Sequence, residues 1–377
     1  MPQRFASRLE GVRISMIRQI MLKAQGCINL GLGEADFGAP ETVRAEAHRV
    51  LEEEKIGYSP NLGLASLCKE IIHYHGNAPG HRACVTNGSQ EGLFDLLFAL
   101  VDEGDQVLVP DPGFVAYPTI VRMAGGTPVG YPLRPENDFQ LDPTDIESQL
   151  AENTKVLMVL SPSNPTGQCV TREQMEWLSR LARERGLIIV SDEIYREIYY
   201  TEEKPSTIAD VSEHAVILSG VSKMASMTGW RVGWVYGPKE IIEKVTVMHQ
   251  YTSSCASTLS QKSASKVFTP EGRTAIEKQR QLLKSNCDLL CEWIETEMDR
   301  PYIRPQGAFY LMLSVGDLKQ DSFDISMELL QDGVATIPGS AFGERGEGFL
   351  RLSFACDQVQ IEEGMSRVKI GLDRLSS

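Results

Sequence analysis

Several features are scarce in this 377-residue chain, and each scarcity excludes something. No run approaches about 18 uninterrupted apolar residues, so no membrane-spanning helix is expected. No basic block appears either: 37 Lys and Arg face 51 Asp and Glu, a formal net charge of -14. That balance argues against nucleic acid or an anionic membrane as the main partner. The eight cysteines (Cys27, Cys68, Cys84, Cys169, Cys255, Cys287, Cys291 and Cys356) form no C-x-x-C pair. They read as free thiols in a reducing compartment, which points to the cytoplasm. Cys287 and Cys291 share a helix face, but two soft ligands alone make no zinc site. There are only six histidines, and His73, His75 and His81 lack acidic or cysteine partners at ligand spacing. They read as solvated loop residues, and no metal is expected.

What is present is a large apolar fraction, 42%, with 23% charged residues, enough for a sizeable core and two domains. Near the start, Arg4, Arg8, Arg13, Arg18 and Lys23 stand against Glu10 alone. Such a stretch resembles an amphipathic transit peptide, but a basic surface helix with Ile14, Ile17 and Met21 facing inward is the preferred interpretation. Between about 80 and 240, short apolar runs alternate with helical patterns. The runs are Arg82–Val85, Gln106–Val109, Lys155–Leu160, Leu187–Val190 and Ala215–Leu218, suited to strands buried on both faces. Thr171–Arg185, with Met175, Leu178 and Leu181 at helical spacing, is one of the intervening helices. The expected class is therefore α/β, with a mostly parallel sheet flanked by helices. A long charged helix over about 269–298 links it to a smaller α+β domain. The expected division is 46–270 for the large domain, and 1–45 with 271–377 for the small one.

Ligands of such sheets bind beyond the carboxyl ends of the strands. Those ends carry Asn87-Gly88-Ser89-Gln90, Asp111-Pro112-Gly113-Phe114, Ser163-Asn164-Pro165, Asp192-Glu193-Ile194-Tyr195 and Ser222-Lys223. Lys223 has small neighbours, as an amine that forms a Schiff base with a bulky ring requires. Arg231, eight residues on among glycines, can clamp a phosphate dianion with its planar fork. Carbonyl chemistry at a lysine beside a phosphate clamp describes pyridoxal 5'-phosphate, whose ring is an electron sink. Asp192 can hold the pyridine nitrogen protonated, although an aspartate there also suits a helix N-cap. Tyr195 and Asn164 can bond the phenolic oxygen. The backbone at Gly88, Ser89 and Gln90, opening a helix, completes a phosphate cup with Ser222 and Arg231.

Gly220-Val221-Ser222-Lys223 through Met227-Thr228-Gly229-Trp230-Arg231-Val232-Gly233 resembles, position by position, the lysine-attachment signature of the class I/II aminotransferases. Asn164-Pro165-Thr166-Gly167, Gly307-Ala308-Phe309-Tyr310 and Pro338-Gly339-Ser340-Ala341-Phe342-Gly343 are similar to further family segments. The likeness runs from Ser15 to Ala355 and is greatest to the bacterial aspartate aminotransferase-like branch. It implies a fold-type I enzyme that moves an amino group from an amino acid to a 2-oxo acid by a ping-pong route through Lys223, which also shuttles the Cα proton. It further implies that Phe114 stacks on the cofactor ring, the alternative being core packing. By the same resemblance, Arg351 binds the substrate α-carboxylate beside Gly33, although an arginine in an alternating strand otherwise reads as exposed. Tyr58 is similar to the tyrosine that crosses a homodimer interface to the partner's phosphate. Two departures stand out. Gly220 replaces a serine that some branches use on the phosphate, and Gln90 replaces a lysine that recognises a distal carboxylate in some aspartate enzymes. A C–S β-lyase on the same fold is the nearest alternative, and a non-catalytic sensor the more distant one. No DNA-binding segment precedes residue 15, and the Gly229-Trp230-Arg231 ending favours the transaminases.

Overall fold

The computed structural model describes residues 5–376, so Arg4 of the basic N-terminal stretch lies outside the described residues. Seven strands form the main sheet: β1 (His81–Thr86), β2 (Gln106–Asp111), β3 (Thr127–Pro132), β4 (Thr154–Leu160), β5 (Ile188–Asp192), β6 (Val216–Gly220) and β7 (Gly233–Pro238). Their spatial order is β1-β7-β6-β5-β4-β2-β3. Every neighbouring pair from β6 through β3 is parallel, and β7 runs antiparallel to both β1 and β6. All five residues of β6 are buried, as are the last five of β4. This matches the continuous Val/Ile/Leu runs, because helices cover both faces of a parallel sheet.

The five expected strands are found, each shifted by a residue or two. Two more, β3 and β7, were not foreseen. Their sequences, Thr-Pro-Val-Gly-Tyr-Pro and Gly-Trp-Val-Tyr-Gly-Pro, carry proline and glycine where a strand pattern needs branched residues. β3 is an edge strand, where a missing N–H costs no ladder bond.

The helix expected over Thr171–Arg185 spans Arg172–Arg185. Thr171 and Gln174 close a reciprocal capping box, and Gly186 ends the helix in the left-handed region. The long helix is Pro270–Glu297, started by Thr269, and it buries Ile276, Leu283, Leu290 and Ile294 along one stripe. A second, four-stranded antiparallel sheet orders Ile337–Pro338, Phe349–Ser353, Tyr310–Ser314 and Tyr302–Ile303.

Two local expectations need correction. The N-terminal helix is Met16–Lys23, and Ile20 is the residue it buries; Ile14 precedes the helix and is exposed. Ser15 caps the helix, so its inward face starts at Ile17, which with Met21 packs beside Ile20 as expected. His75 is not a solvated loop residue. It is buried at the end of helix Ala65–Tyr74, accepts from Trp234 Nε1 at 3.0 Å and stacks on Tyr236. Burial holds its pKa well below the ordinary histidine value. His73 lies within that helix, and His81 opens β1. No described helix is long and apolar enough to cross a membrane.

Candidate active site

The antiparallel strand explains how distant segments meet. β7 begins at the edge where its neighbours end, so Gly233 pairs with Gly220 on one side and Thr86 on the other. Lys223 follows Gly220, Arg231 precedes Gly233, and Gly88 follows Thr86. Three segments remote in sequence are thereby brought to one point. The packing is close: a Cβ on Gly233 would lie 2.2 Å from the Ser89 nitrogen, and one on Gly220 would lie 2.8 Å from the Val232 carbonyl. The serine absent from position 220 therefore has no room here.

Eleven of the thirteen expected site residues line one cavity of about 260 Å³: Gly33, Ser89, Gln90, Phe114, Asn164, Asp192, Tyr195, Ser222, Lys223, Arg231 and Arg351. Gly88 stands behind it and clears space for the clamp. Its φ is +85°, and an added Cβ would meet Arg231 Nη2 at 2.2 Å. Tyr58 is not brought to the cavity; it is 94% exposed on the surface of its own chain.

Lys223 Nζ donates to the Gly33 carbonyl. Burial pushes its pKa down to about 8; Glu34 opposes that shift, while Arg351 and Arg231 add to it. Asp192 is buried at the end of β5. Burial raises its pKa to about 6, against bonds from the Tyr117 hydroxyl at 2.8 Å and the Ile194 N–H at 3.2 Å. No helix starts after Asp192, so the second bond closes a turn and is not the helix N-cap considered for this residue; the carboxylate stays on the cavity wall. Tyr195 and Tyr310 share a hydrogen bond of 2.8 Å. Phe114 lines the cavity and also packs edge-on against Tyr117, with ring centres 5.4 Å apart.

Arg231 donates to the Thr228 carbonyl at 2.9 Å and the Asn87 carbonyl at 3.2 Å. Arg351 is 2% exposed despite its place in a strand. It donates to Asn164 Oδ1 at 2.9 Å and to the Gly31 carbonyl, and its guanidinium lies 4.2 Å from the Tyr310 ring centre. Its Nε is buried without a partner, and no carboxylate among the described residues forms an ion pair with it. A buried cation with an unanswered donor is costly unless an anion completes it.

Sequence reasoning missed Ile17, Thr228 and Tyr310 on the cavity wall and Tyr117 behind Asp192. Tyr310 sits in a segment already recognised as family-like, so its place was within reach. Tyr117, an apolar-face tyrosine of helix Ala116–Met123, carried no signal of its own.

The donor set suits a phosphorylated pyridine aldehyde. It offers an amine of lowered pKa, a buried carboxylate, an arginine held at a glycine turn and a second, unpaired arginine. Comparison with known proteins agrees. The family model "Aminotransferase class I and II" matches residues 25–368. The chain is 34% identical to the aspartate aminotransferase of Pyrococcus abyssi and 33% identical to the aromatic-amino-acid aminotransferase 2 of Thermococcus litoralis, with 97% of each chain covered in both cases. A solved Thermus thermophilus aspartate aminotransferase double mutant superposes with a TM-score of 0.93 at 32% identity, covering 98% of this chain and all of that one.

Fold and cavity together define a fold-type I enzyme that works with pyridoxal phosphate. The chain belongs to the class I and II aminotransferases, enzymes that transfer amino groups.

Proposed function

We propose that this aminotransferase acts on amino acids with neutral side chains, docking the α-carboxylate on Arg351 with Asn164 and Gly33 beside it. The observation that carries the first half is the buried, unpaired Arg351 guanidinium in the same cavity as the Lys223 amine. The neutral side chain follows from the charges present. The charged residues lining the cavity are Asp192, Lys223, Arg231 and Arg351, and each has a task at the cofactor or the α-carboxylate. No lining cation remains for a distal carboxylate, and Gln90, Ile17 and Phe114 supply neutral surface instead.

In this scheme Arg231, Ser222, Ser89 and Gln90 hold the cofactor phosphate against the amides at the helix start. With the cofactor bound, Asp192 would hold the pyridine nitrogen, Tyr195 and Asn164 would serve the phenolic oxygen, and Phe114 would pack on the ring. Bound there, pyridoxal phosphate draws electron density from the substrate Cα. Lys223 Nζ takes the Cα proton and returns it at the far side of the transfer, a task suited to a base whose pKa is about 8. Both half-reactions use one pocket, so the kinetics are ping-pong.

The enzyme works as a cytoplasmic homodimer. Support for the dimer comes from a surface that leaves Tyr58, Tyr251, Val247 and Leu51 exposed. The test is a panel of single amino acids, each assayed for conversion of the cofactor to its amino form. Aromatic and aliphatic donors are expected to react well and aspartate poorly; preference for aspartate would refute the side-chain assignment.

A further inference from the structure

Behind the phosphate end of the cavity lies a cluster built on His249, a histidine whose sequence context gives no hint of a role. It is fully buried near the end of helix Lys239–Thr252. Its Nδ1 lies 2.9 Å from a Glu91 oxygen and 3.4 Å from an Asp95 oxygen, while its Nε2 is buried with no partner. The ring's polar grip is therefore exerted from Nδ1 alone. Burial by itself would lower the pKa, but the Asp95 and Glu91 carboxylates beside the ring outweigh it and push it up to about 9.

Glu91 in turn accepts from the Asn87 backbone N–H at 3.0 Å and from Asn87 Nδ2 at 3.2 Å. The Asn87 carbonyl accepts from Arg231 Nη2 at 3.2 Å. A short chain of bonds thus connects a buried helix end to the arginine fork. Glu91, Asp95 and His249 lie close enough together to hold a metal ion. However, the Glu91 oxygen nearest the imidazole already accepts from Asn87 and from Ser253 Oγ at 3.1 Å, so a proton on Nδ1 completes the cluster.

We propose that His249 is a positioning residue for the cofactor phosphate: its Nδ1 proton fixes Glu91, Glu91 fixes the Asn87–Gly88 loop, and that loop aims the Arg231 fork. The inference rests on the assignment of Arg231 to the phosphate. An asparagine amide can stand near the place of Nδ1, so His249→Asn keeps the bond that His249→Ala removes.

The experiment measures the affinity of the apoenzyme for pyridoxal phosphate and for pyridoxal, which lacks the phosphate. His249→Ala is expected to weaken pyridoxal phosphate about tenfold, the effect of one charge-assisted hydrogen bond, with pyridoxal unchanged and with His249→Asn restoring most of the loss. Glu91→Ala, at a helical position that tolerates alanine, gives the same readout if His249→Ala does not fold. An equal fall for both ligands, or no fall for either, makes His249 a packing residue and overturns the proposal. Arg231→Ala separates the two assignments. If it abolishes the preference for the phosphorylated ligand while His249→Ala keeps it, only the His249 inference fails. If Arg231→Ala also keeps the preference, the phosphate assignment fails with it.

Discussion

Arg351 Nη1 and Asn164 Oδ1 meet at 2.9 Å, joining a strand of the four-stranded sheet to the loop after β4. That bond helps hold the guanidinium over the Tyr310 ring. The other Nη donates to the Gly31 carbonyl and Nε has no partner, so the guanidinium is held by neutral acceptors with its charge unanswered, which suits a carboxylate.

Arg351→Lys keeps the charge and loses the fork. It is expected to lower kcat/KM for the amino donor about 100-fold, with Arg351→Ala lower still and Asn164→Ala intermediate. Steady-state kinetics with a reactive donor measure the series. An unchanged kcat/KM in Arg351→Ala would remove the arginine from substrate binding.

The lowered pKa of Lys223 predicts a pH profile. Its amine attacks the cofactor carbonyl only when neutral, and burial brings the neutral form within reach near pH 8. The rate of apoenzyme reconstitution should rise with pH, level off above about 8, and not climb further towards the ordinary lysine pKa. Stopped-flow mixing with pyridoxal phosphate across that range gives the midpoint.

Gly88→Ala adds a carbon where Arg231 Nη2 now lies, at a backbone φ of +85°. The arginine must withdraw, so cofactor affinity should fall at least about tenfold. Fluorescence titration of the apoenzyme reads the change, and Gly229→Ala, with open space around it, is the control.

The proposed homodimer, with Tyr58 reaching the partner's site, predicts that Tyr58 and Lys223 variants complement each other. Tyr58→Ala and Lys223→Ala homodimers are each expected to be weak, but dissociating and mixing them should regenerate hybrid dimers with one intact site. Recovery of activity on mixing supports the crossing tyrosine. A mixture no more active than its parents would place Tyr58 outside the site.

The chemistry was more legible in the sequence than the walls that hold it. Lys223, Asp192 and Asn164 stand at or just after strand ends, where polar residues interrupt buried apolar runs, and Arg231 lies in the glycine-flanked turn before β7; local pattern and the family likeness together marked them. Arg351 was legible only by resemblance, because period-two alternation cannot tell a solvent face from a cavity face. Strands β3 and β7 were hidden by proline and glycine, and with β7 went the reason Gly88, Lys223 and Arg231 converge. Tyr117 and His249 act on site residues from behind, across contacts that no spacing rule encodes.

The central claim is that Lys223 carries the cofactor and moves an amino group. Visible absorbance of the purified protein, recorded before and after adding a neutral amino acid, tests it most directly. A yellow band that fades with the amino acid and returns with a 2-oxo acid, and that borohydride fixes to Lys223, is the predicted result. No band after incubation with pyridoxal phosphate, or a band that survives intact in Lys223→Ala and still responds to amino acids, would contradict it.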